Sequence, residues 1–160
     1  MTQEQKENLL QEIDKLHQRN ELSKNVMDDY FEPGMMEYLE QSEGRFDEER
    51  GTIYLRFEAR GTRYDGRTEI IEKVKVGDAI QIVRDDTNPY NHNNFLLLNR
   101  KGKDVGNVPA ELCNALASLY DAGEIVFEKS QVSFVESISK RSRYAKQAVL
   151  FVEVVIKILM

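Results

Sequence analysis

Several residue types that mark particular protein classes are scarce in this 160-residue chain. It has one cysteine, three prolines, two histidines and no tryptophan. The single Cys113 excludes an internal disulfide, so we expect a reducing, cytoplasmic location with this thiol as a small buried core residue. No stretch approaches the length of a membrane-spanning helix, and the first residues lack a basic start followed by an apolar run. A membrane protein and a signal peptide are therefore not predicted.

The motifs of common catalytic and cofactor-binding sites are also missing. There is no Gly-x-x-x-x-Gly-Lys phosphate loop and no Gly-x-Ser-x-Gly nucleophile motif. His17 and His92 lie in different segments, without ligand spacing around them. The adjacent Asp85 and Asp86 would point to opposite faces of a strand, which makes a poor chelate. We therefore expect a binding protein without a cofactor or a metal, and not an enzyme.

The formal net charge of −6 is distributed unevenly along the chain. Residues 1–50 carry 14 acidic and 6 basic side chains, whereas residues 51–160 carry 14 acidic and 16 basic ones. An acidic segment therefore precedes a nearly neutral body. Such a body has room for a local basic patch but lacks the positive excess of a general nucleic-acid-binding protein.

The first fifty residues predict an acidic helical arm and linker. Apolar side chains recur at helical spacing over Leu9–Leu16, and Thr2 with Gln5 has the spacing of a capping box. A second helix is predicted after Ser23 and ends at a Pro-Gly pair. We expect the apolar face of the arm to pack on the rest of the protein or on a second copy, which would make a homodimer.

From Gly51 the hydrophobic period changes from that of a helix to that of a strand. Alternation over Ile53–Ala59 predicts a strand with one buried face. Two short apolar strands follow, Ile80–Arg84 and Phe95–Asn99, and a further one continues through Val108. Residues 51–160 are therefore predicted to form one β domain.

The last third of the chain predicts one helix and two long strands. Pro109 suits the first turn of a helix that runs to Asp121. Its predicted inward side chains are Leu112, Cys113, Leu116 and Leu119. Strands over Ile125–Ile138 and Gln147–Leu159 complete the chain. Five or six strands with one helix predict a β-rich α+β fold, built as a small curled sheet or barrel.

The polar loop of residues 85–94 is the most specific part of the sequence. It holds a Pro, a Tyr and four Asn, and loops on a rigid sheet are where binding groups concentrate. The order Arg-Asp-x-x-Asn-Pro-Tyr-Asn-x-Asn from Arg84, then Val-Gly-x-Val-Pro-x-Glu-Leu from Val105, resembles the signature of the HIRAN domain. That domain is a small β-rich module of free-standing bacterial proteins and eukaryotic fork-remodelling translocases. The resemblance covers Gly51–Leu159 and is specific over Arg84–Leu112.

The HIRAN resemblance implies both a fold and a ligand. The implied fold is an OB-like or SH3-like curled barrel of five to six strands with a helix at one end. The implied ligand is single-stranded DNA, particularly a free 3′ end, in DNA repair or processing. A helicase or nuclease acting in trans is an implied partner, because the chain carries no motor motif. The alternative is a non-catalytic protein-interaction or adaptor domain with a degenerate DNA site.

Two loops carry the residues that the resemblance implies for DNA binding. Arg63 and Tyr64 match a family pair that contacts phosphate and stacks on a base. The alternative is a solvated Arg beside a Tyr packed on its own loop. Arg84, Asn88 and Tyr90 belong to the Asn-Pro-Tyr signature. Tyr90 is either a second stacking platform or the hydrophobic anchor of its loop.

Three positions depart from the family pattern. Asn91 stands where the family usually has an Asp that accepts a hydrogen bond from a terminal 3′-hydroxyl. An amide loses the charge-assisted bond, which is roughly twice as strong as a neutral one. Asn107 replaces a His near the end pocket in some members, and Asp65 replaces an aromatic residue. These changes predict weaker selectivity for a 3′ end without excluding strand binding.

The connector between the last two strands is basic. It contains Lys140, Arg141 and Arg143 with Tyr144 among them, which is typical of a loop that tracks phosphates. The alternative is a charged hairpin tip that deters aggregation at exposed strand ends.

Overall fold

The computed structural model of the protein describes residues 2–9, 11, 45–47, 50–138 and 147–159. Residues 3–9 are helical. The other elements, in chain order, are β1 (Arg45–Asp47), β2 (Thr52–Glu58), α1 (Arg67–Ile71), β3 (Gln81–Asp85), β4 (Asn94–Leu98), β5 (Asp104–Asn107), α2 (Ala110–Asp121), β6 (Ile125–Glu136) and β7 (Val149–Ile158). Within these ranges, no helix has the length and apolar character that a membrane crossing requires.

The strands of the described residues form two antiparallel sheets. One has the order β1-β2-β7-β6 and the other the order β3-β4-β5. Isolated bridges join the sheets, one between Arg60 and Asn107 and one between Ala79 and Gln131. The predicted β-rich class is confirmed, but the sheets do not close into the continuous ladder of a barrel. The described strands outnumber the predicted five or six because the predicted linker contains a strand, β1, which pairs with β2. Backbone groups pair whether or not the side chains alternate, so the polar residues of this segment did not indicate a strand.

The neighbouring strands β2 and β7 contribute one continuous apolar face to the core. Phe57 lies opposite Val152 and Leu55 lies opposite Val154 in the antiparallel register, and all four side chains are buried. β7 also buries Val149 and Phe151 on its other face. The first four residues of β7, Val149–Val152, are buried on both faces and read as a continuous apolar run, whereas Glu153 and Lys157 interrupt the rest.

The helix α2 is fixed to both sheets by aromatic contacts. The ring of Tyr120 in α2 lies edge-on to Phe95 of β4 at 5.3 Å and stacks on Phe127 of β6 at 5.6 Å between centroids. Edge-to-face pairs contribute about 0.5–1.5 kcal/mol each beyond the area they bury. The predicted inward face is confirmed, because its four side chains are buried: Leu112, Cys113, Leu116 and Leu119. α2 is therefore a rigid support for the loops that it touches.

The start of the predicted arm is helical where it is described. Thr2 accepts a hydrogen bond from the backbone of Gln5 at 3.1 Å, and Gln5 accepts one from the backbone of Thr2 at 2.8 Å. This is the reciprocal capping box that the spacing predicts. Leu9, 1% exposed, belongs to the core cluster. The rest of the predicted arm, including its second helix, lies almost entirely outside the described residues.

Candidate nucleic-acid interface

The loop of residues 61–66 presents a cation beside an aromatic ring. It follows the Arg60–Asn107 bridge, and its tight path uses positive φ angles at Gly61, Asp65 and Gly66. Tyr64 is 52% exposed, and the guanidinium carbon of Arg63 lies 4.8 Å from the centroid of its ring. Arg63 also donates a hydrogen bond to the Tyr64 hydroxyl. The loop thus displays a paired positive charge and aromatic ring.

A buried arginine holds this loop against the three-stranded sheet. The guanidinium of Arg67 donates to both carboxylate oxygens of Asp104, at 3.0 and 2.8 Å, and to the Gly61 carbonyl at 3.0 Å. Arg67 is only 5% exposed. A Cβ on Gly61 would lie 2.7 Å from Nη1 of Arg67, so only glycine fits there. Bidentate geometry fixes orientation as well as distance, and the loop is therefore held in one place.

The second loop, residues 86–93, is supported by Arg84. Its guanidinium donates to the Asp121 carboxylate at 3.0 and 3.1 Å and to the carbonyls of His92 and Asn94 at 2.7 and 3.1 Å. The hydrogen bond with Asp121 raises the pKa of Arg84 above its ordinary value, against the opposing effect of desolvation. Every nitrogen of this side chain has a partner, which favours a supporting role over direct phosphate contact.

Asn88 folds the tip of the second loop. Its Oδ1 accepts from the backbone N–H groups of Tyr90 at 2.9 Å and Asn91 at 3.1 Å, while its Nδ2 donates to Asp85 at 3.1 Å. Asparagine side chains that bond the backbone two residues on create tight turns of this kind. Tyr90 is carried on that turn and is 96% exposed. Its ring is not the anchor of the loop, because Arg84 and Asn88 perform that function.

Both polar atoms of the Asn91 side-chain amide form hydrogen bonds within the protein. Its Oδ1 accepts from the backbone of Asn93 at 3.0 Å, and its Nδ2 donates to Oδ1 of Asn114 at 3.2 Å. Asn93 donates to the same Asn114 oxygen at 3.2 Å. Asn114 lies on α2, so this contact pins the loop to the rigid helix. Both polar atoms of the Asn91 side chain therefore have partners within the protein.

Asn107 and Asn94 connect the two loops. The Nδ2 of Asn94 donates to Asp85 at 3.1 Å and to Oδ1 of Asn107 at 3.0 Å. The backbone of Asn107 in turn exchanges two hydrogen bonds of 2.9 Å with Arg60, the residue before the Tyr64 loop. A chain of amide and carboxylate contacts therefore runs from the Asn88 turn to the foot of the Tyr64 loop. Preorganised polar networks of this kind hold a site in one geometry.

The comparison with protein families decides the family. The family model described as the HIRAN domain matches residues 53–153, more than half of the chain. The chain belongs to the HIRAN domain family. No curated protein matches the sequence at a significant level.

Solved structures, two of them of a HIRAN domain, are similar to the chain over about two thirds of its length. The crystal structure of the HIRAN domain of human HLTF is 25% identical, with a TM-score of 0.47, over 67% of this chain and 81% of that one. The NMR structure of the HLTF HIRAN domain in its DNA-bound conformation is 24% identical, with a TM-score of 0.44, over 65% and 75%. A crystal structure of a protein from Lactobacillus plantarum is 17% identical, with a TM-score of 0.48, over 66% and 98%.

The structure brings together most of the site residues that the HIRAN signature predicts. The two loops and their junction contain Arg63, Tyr64, Asn88, Tyr90, Asn91 and Asn107, with Arg84 supporting the second loop from within. The basic residues of the connector, Lys140, Arg141 and Arg143, lie outside the described residues. Among the described residues, no cluster of His, Cys, Asp and Glu is placed to hold a metal ion.

Sequence reasoning missed the residues that hold the HIRAN loops in place. Arg67 and Asp104 are 37 residues apart, and no local pattern connects them. Asn94 had a usable signal, because it closes the Asn-rich signature at the first position of β4. Asn114 had none, since an exposed helical asparagine is ordinary.

Proposed function

We propose that this HIRAN domain binds single-stranded DNA across the loops of residues 61–66 and 86–93. Tyr64 and Tyr90 act as stacking platforms, and Arg63 contacts phosphate. The observation that carries the proposal is the pair of exposed rings on loops that hydrogen bonds within the protein hold in place. Family membership supports the choice of ligand, since another HIRAN domain, that of human HLTF, has a DNA-bound conformation.

Rigid loops make exposed rings effective binding groups. A base stacked on an aromatic side chain contributes about 1–3 kcal/mol, because every base has a π-face and water leaves both surfaces. Tyr90 is already ordered by its turn on Asn88. Binding therefore costs little backbone entropy at this turn, and the main ordering cost is the rotamer freedom of the exposed Tyr90 side chain.

Recognition of a 3′ end is the weaker part of the expected activity. The Asn91 amide is occupied by Asn93 and Asn114, and it carries no negative charge to accept strongly from a hydroxyl. We therefore propose strand binding with little discrimination between 3′-hydroxyl and 3′-phosphate ends. A role in DNA repair or processing, without catalysis by this domain, is part of the same proposal.

We also propose that the two sheets are the halves of the OB-like or SH3-like curled barrel that the family implies. The bridges at Arg60–Asn107 and Ala79–Gln131 support it, because they connect the sheets at both edges. The binding loops then lie at one of the two seams.

Fluorescence anisotropy with a labelled single-stranded oligonucleotide tests the proposal. Replacing either Tyr64 or Tyr90 with Ala should weaken binding by about fivefold or more, the lower end of one stacking contact. Tyr90→Phe is the matched control, because it keeps the ring and should keep the affinity. Absence of wild-type binding at low salt and high micromolar protein, or full affinity in Tyr90→Ala, would refute the proposal.

A second candidate function is a protein-interaction or adaptor domain. Two exposed carboxylates, Asp65 beside Tyr64 and Asp86 at the start of the second loop, favour it, because they repel phosphate. The same titration separates the candidates, since an adaptor domain would bind no oligonucleotide at any salt concentration. A helicase or nuclease in trans and a dimer through residues 1–50 stay predictions from the sequence.

A further inference from the structure

A basic cavity of about 430 Å³ lies between α1 and the turn that joins β4 to β5. Four cationic and two acidic side chains line it: Lys73, Arg100, Lys101, Lys103, Glu69 and Asp78. All four cations are exposed. Among the described residues, none of the four takes part in an ion pair. Their charge is therefore available to a ligand.

The turn that carries three of these cations has a fixed backbone. Oδ1 of Asn99 accepts from the N–H groups of Lys101 and Lys103, both at 2.9 Å, and the Asn99 N–H donates to the Lys103 carbonyl at 2.8 Å. Gly102 supplies the positive φ of 76° that closes the turn. The cations are thus mounted on a rigid hairpin tip facing α1.

The helix α1 connects this cavity to the Tyr64 loop. Arg67 at its start bonds both Gly61 and Asp104, and Asp104 is the neighbour of Lys103. Ile70, near the end of α1, and Lys73, two residues beyond that end, line the cavity. Five helical residues span about 7 Å at 1.5 Å each. At about 3.4 Å per stacked nucleotide, about two nucleotides cover that distance.

We infer that the basic cavity is a second contact site for the phosphate backbone of the same single strand, past Tyr64. The inference rests on the proposed function and extends its binding track along α1. Lysine suits such a contact because its ammonium group binds phosphate as a point charge without demanding one orientation. Glu69 and Asp78 offset part of the attraction, so we expect weak contacts that salt readily screens.

The salt dependence of binding tests this inference directly. Removing one phosphate contact to a single strand reduces the slope of log affinity against log salt by about 0.7. The variant Lys101→Gln with Lys103→Gln should therefore lower the slope by about 1.4 on a twelve-nucleotide strand. When salt is raised from 50 to 200 mM, the fold loss of affinity should be about seven times smaller for this variant than for the wild type. The matched control is Lys129→Gln with Lys157→Gln, two exposed lysines on the four-stranded sheet.

Two further measurements vary the length of the DNA strand and the source of the phosphate. A dinucleotide that occupies the aromatic loops is too short to extend past Tyr64 to the cavity as well, so both double variants should bind it as the wild type does. Free inorganic phosphate at the same phosphate concentration should not displace the longer strand from the wild type. Displacement by free phosphate would overturn the strand assignment in favour of a small-anion site.

The outcomes separate the two proposals. A wild-type slope in the Lys101→Gln, Lys103→Gln variant overturns the cavity contact while leaving the aromatic site intact. A slope lowered equally by the control pair also overturns it, because bulk charge would then be the cause. A lowered slope in this variant, together with unchanged binding by Tyr64→Ala and Tyr90→Ala, would support the cavity and refute the aromatic site.

Discussion

Replacing Arg84 with alanine removes the central support of the second loop. Four hydrogen bonds disappear: two to the Asp121 carboxylate and one each to the carbonyls of His92 and Asn94. The guanidinium also leaves the face of Phe95, 5.4 Å from the ring centroid. The loop that carries Tyr90 is then held only by its asparagine contacts.

The cost can be worked out bond by bond. The partly buried Asn94 carbonyl loses a charge-assisted bond of about 2 kcal/mol, whereas water replaces most of the bond to the exposed His92 carbonyl. The Asp121 carboxylate is 52% exposed, so its pair with Arg84 contributes at most about 1 kcal/mol. We expect a loss of about 3 kcal/mol in the free energy of unfolding for Arg84→Ala.

Urea unfolding followed by circular dichroism measures this loss, since the chain has no tryptophan to report it by fluorescence. The control is Asp121→Asn, which removes the ion pair but keeps both carbonyl contacts and should cost less than about 1 kcal/mol. Equal losses in the two variants would refute the reasoning, because the ion pair and not the carbonyl contacts would then support the loop.

The loss in the free energy of unfolding caused by Arg84→Ala should not depend on pH in the neutral range. The hydrogen bond with Asp121 raises the pKa of Arg84 in the folded protein. A group with a raised folded-state pKa contributes fully below its unfolded-state value and loses that contribution only as the pH rises through the folded-state value. For an arginine this window lies in strong alkali, so the difference from wild type should stay constant around neutrality.

Three further substitutions test other parts of the site. Gly61→Ala should cost about 2–4 kcal/mol in thermal unfolding because its Cβ meets Arg67, whereas Gly102→Ala, with open space around its Cβ, should cost about 1 kcal/mol from backbone strain alone; equal costs would exclude the clash. Asp85→Ala should cost about 2 kcal/mol in urea unfolding, since the buried Asn94 amide loses an acceptor; a cost near zero would show that this network does not support the fold. Tyr90→Ala should leave the free energy of unfolding within about 0.5 kcal/mol of wild type, and a larger loss by the same assay would mean that the ring is structural.

Local periodicity predicted the strands β2 to β7 and the helix α2, but neither β1 nor the short helix α1. The alternation over Ile53–Ala59 corresponds to Thr52–Glu58, and the helix after Pro109 ends at Asp121 as expected. Cys113 is buried. These features depend on which face of one element meets the core, and that information is carried by neighbouring residues in the chain.

The contacts that build the site could not be predicted in the same way. Arg84 meets Asp121 across 37 residues, and the sequence alone suggested Arg84 as a DNA ligand. The Arg100–Lys103 run suggested only a turn, because its proximity to Lys73 arises from the packing of α1 against β5. Such contacts depend on how distant elements pack, and spacing along one element does not report that.

If DNA binds as proposed, the bridge between Arg60 and Asn107 gives the bound nucleotide strand a structural role. It consists of two backbone hydrogen bonds of 2.9 Å, and the loop of residues 61–66 begins beside it on the four-stranded sheet. The loop of residues 86–93 belongs to the three-stranded sheet. A DNA strand that contacts both loops therefore cross-links the two sheets at this seam. At a ligand concentration of about 100 times Kd, binding adds about 2.7 kcal/mol to folding stability. The melting temperature of the domain thus becomes a sensor of occupancy, and variants that loosen the seam should be rescued by ligand.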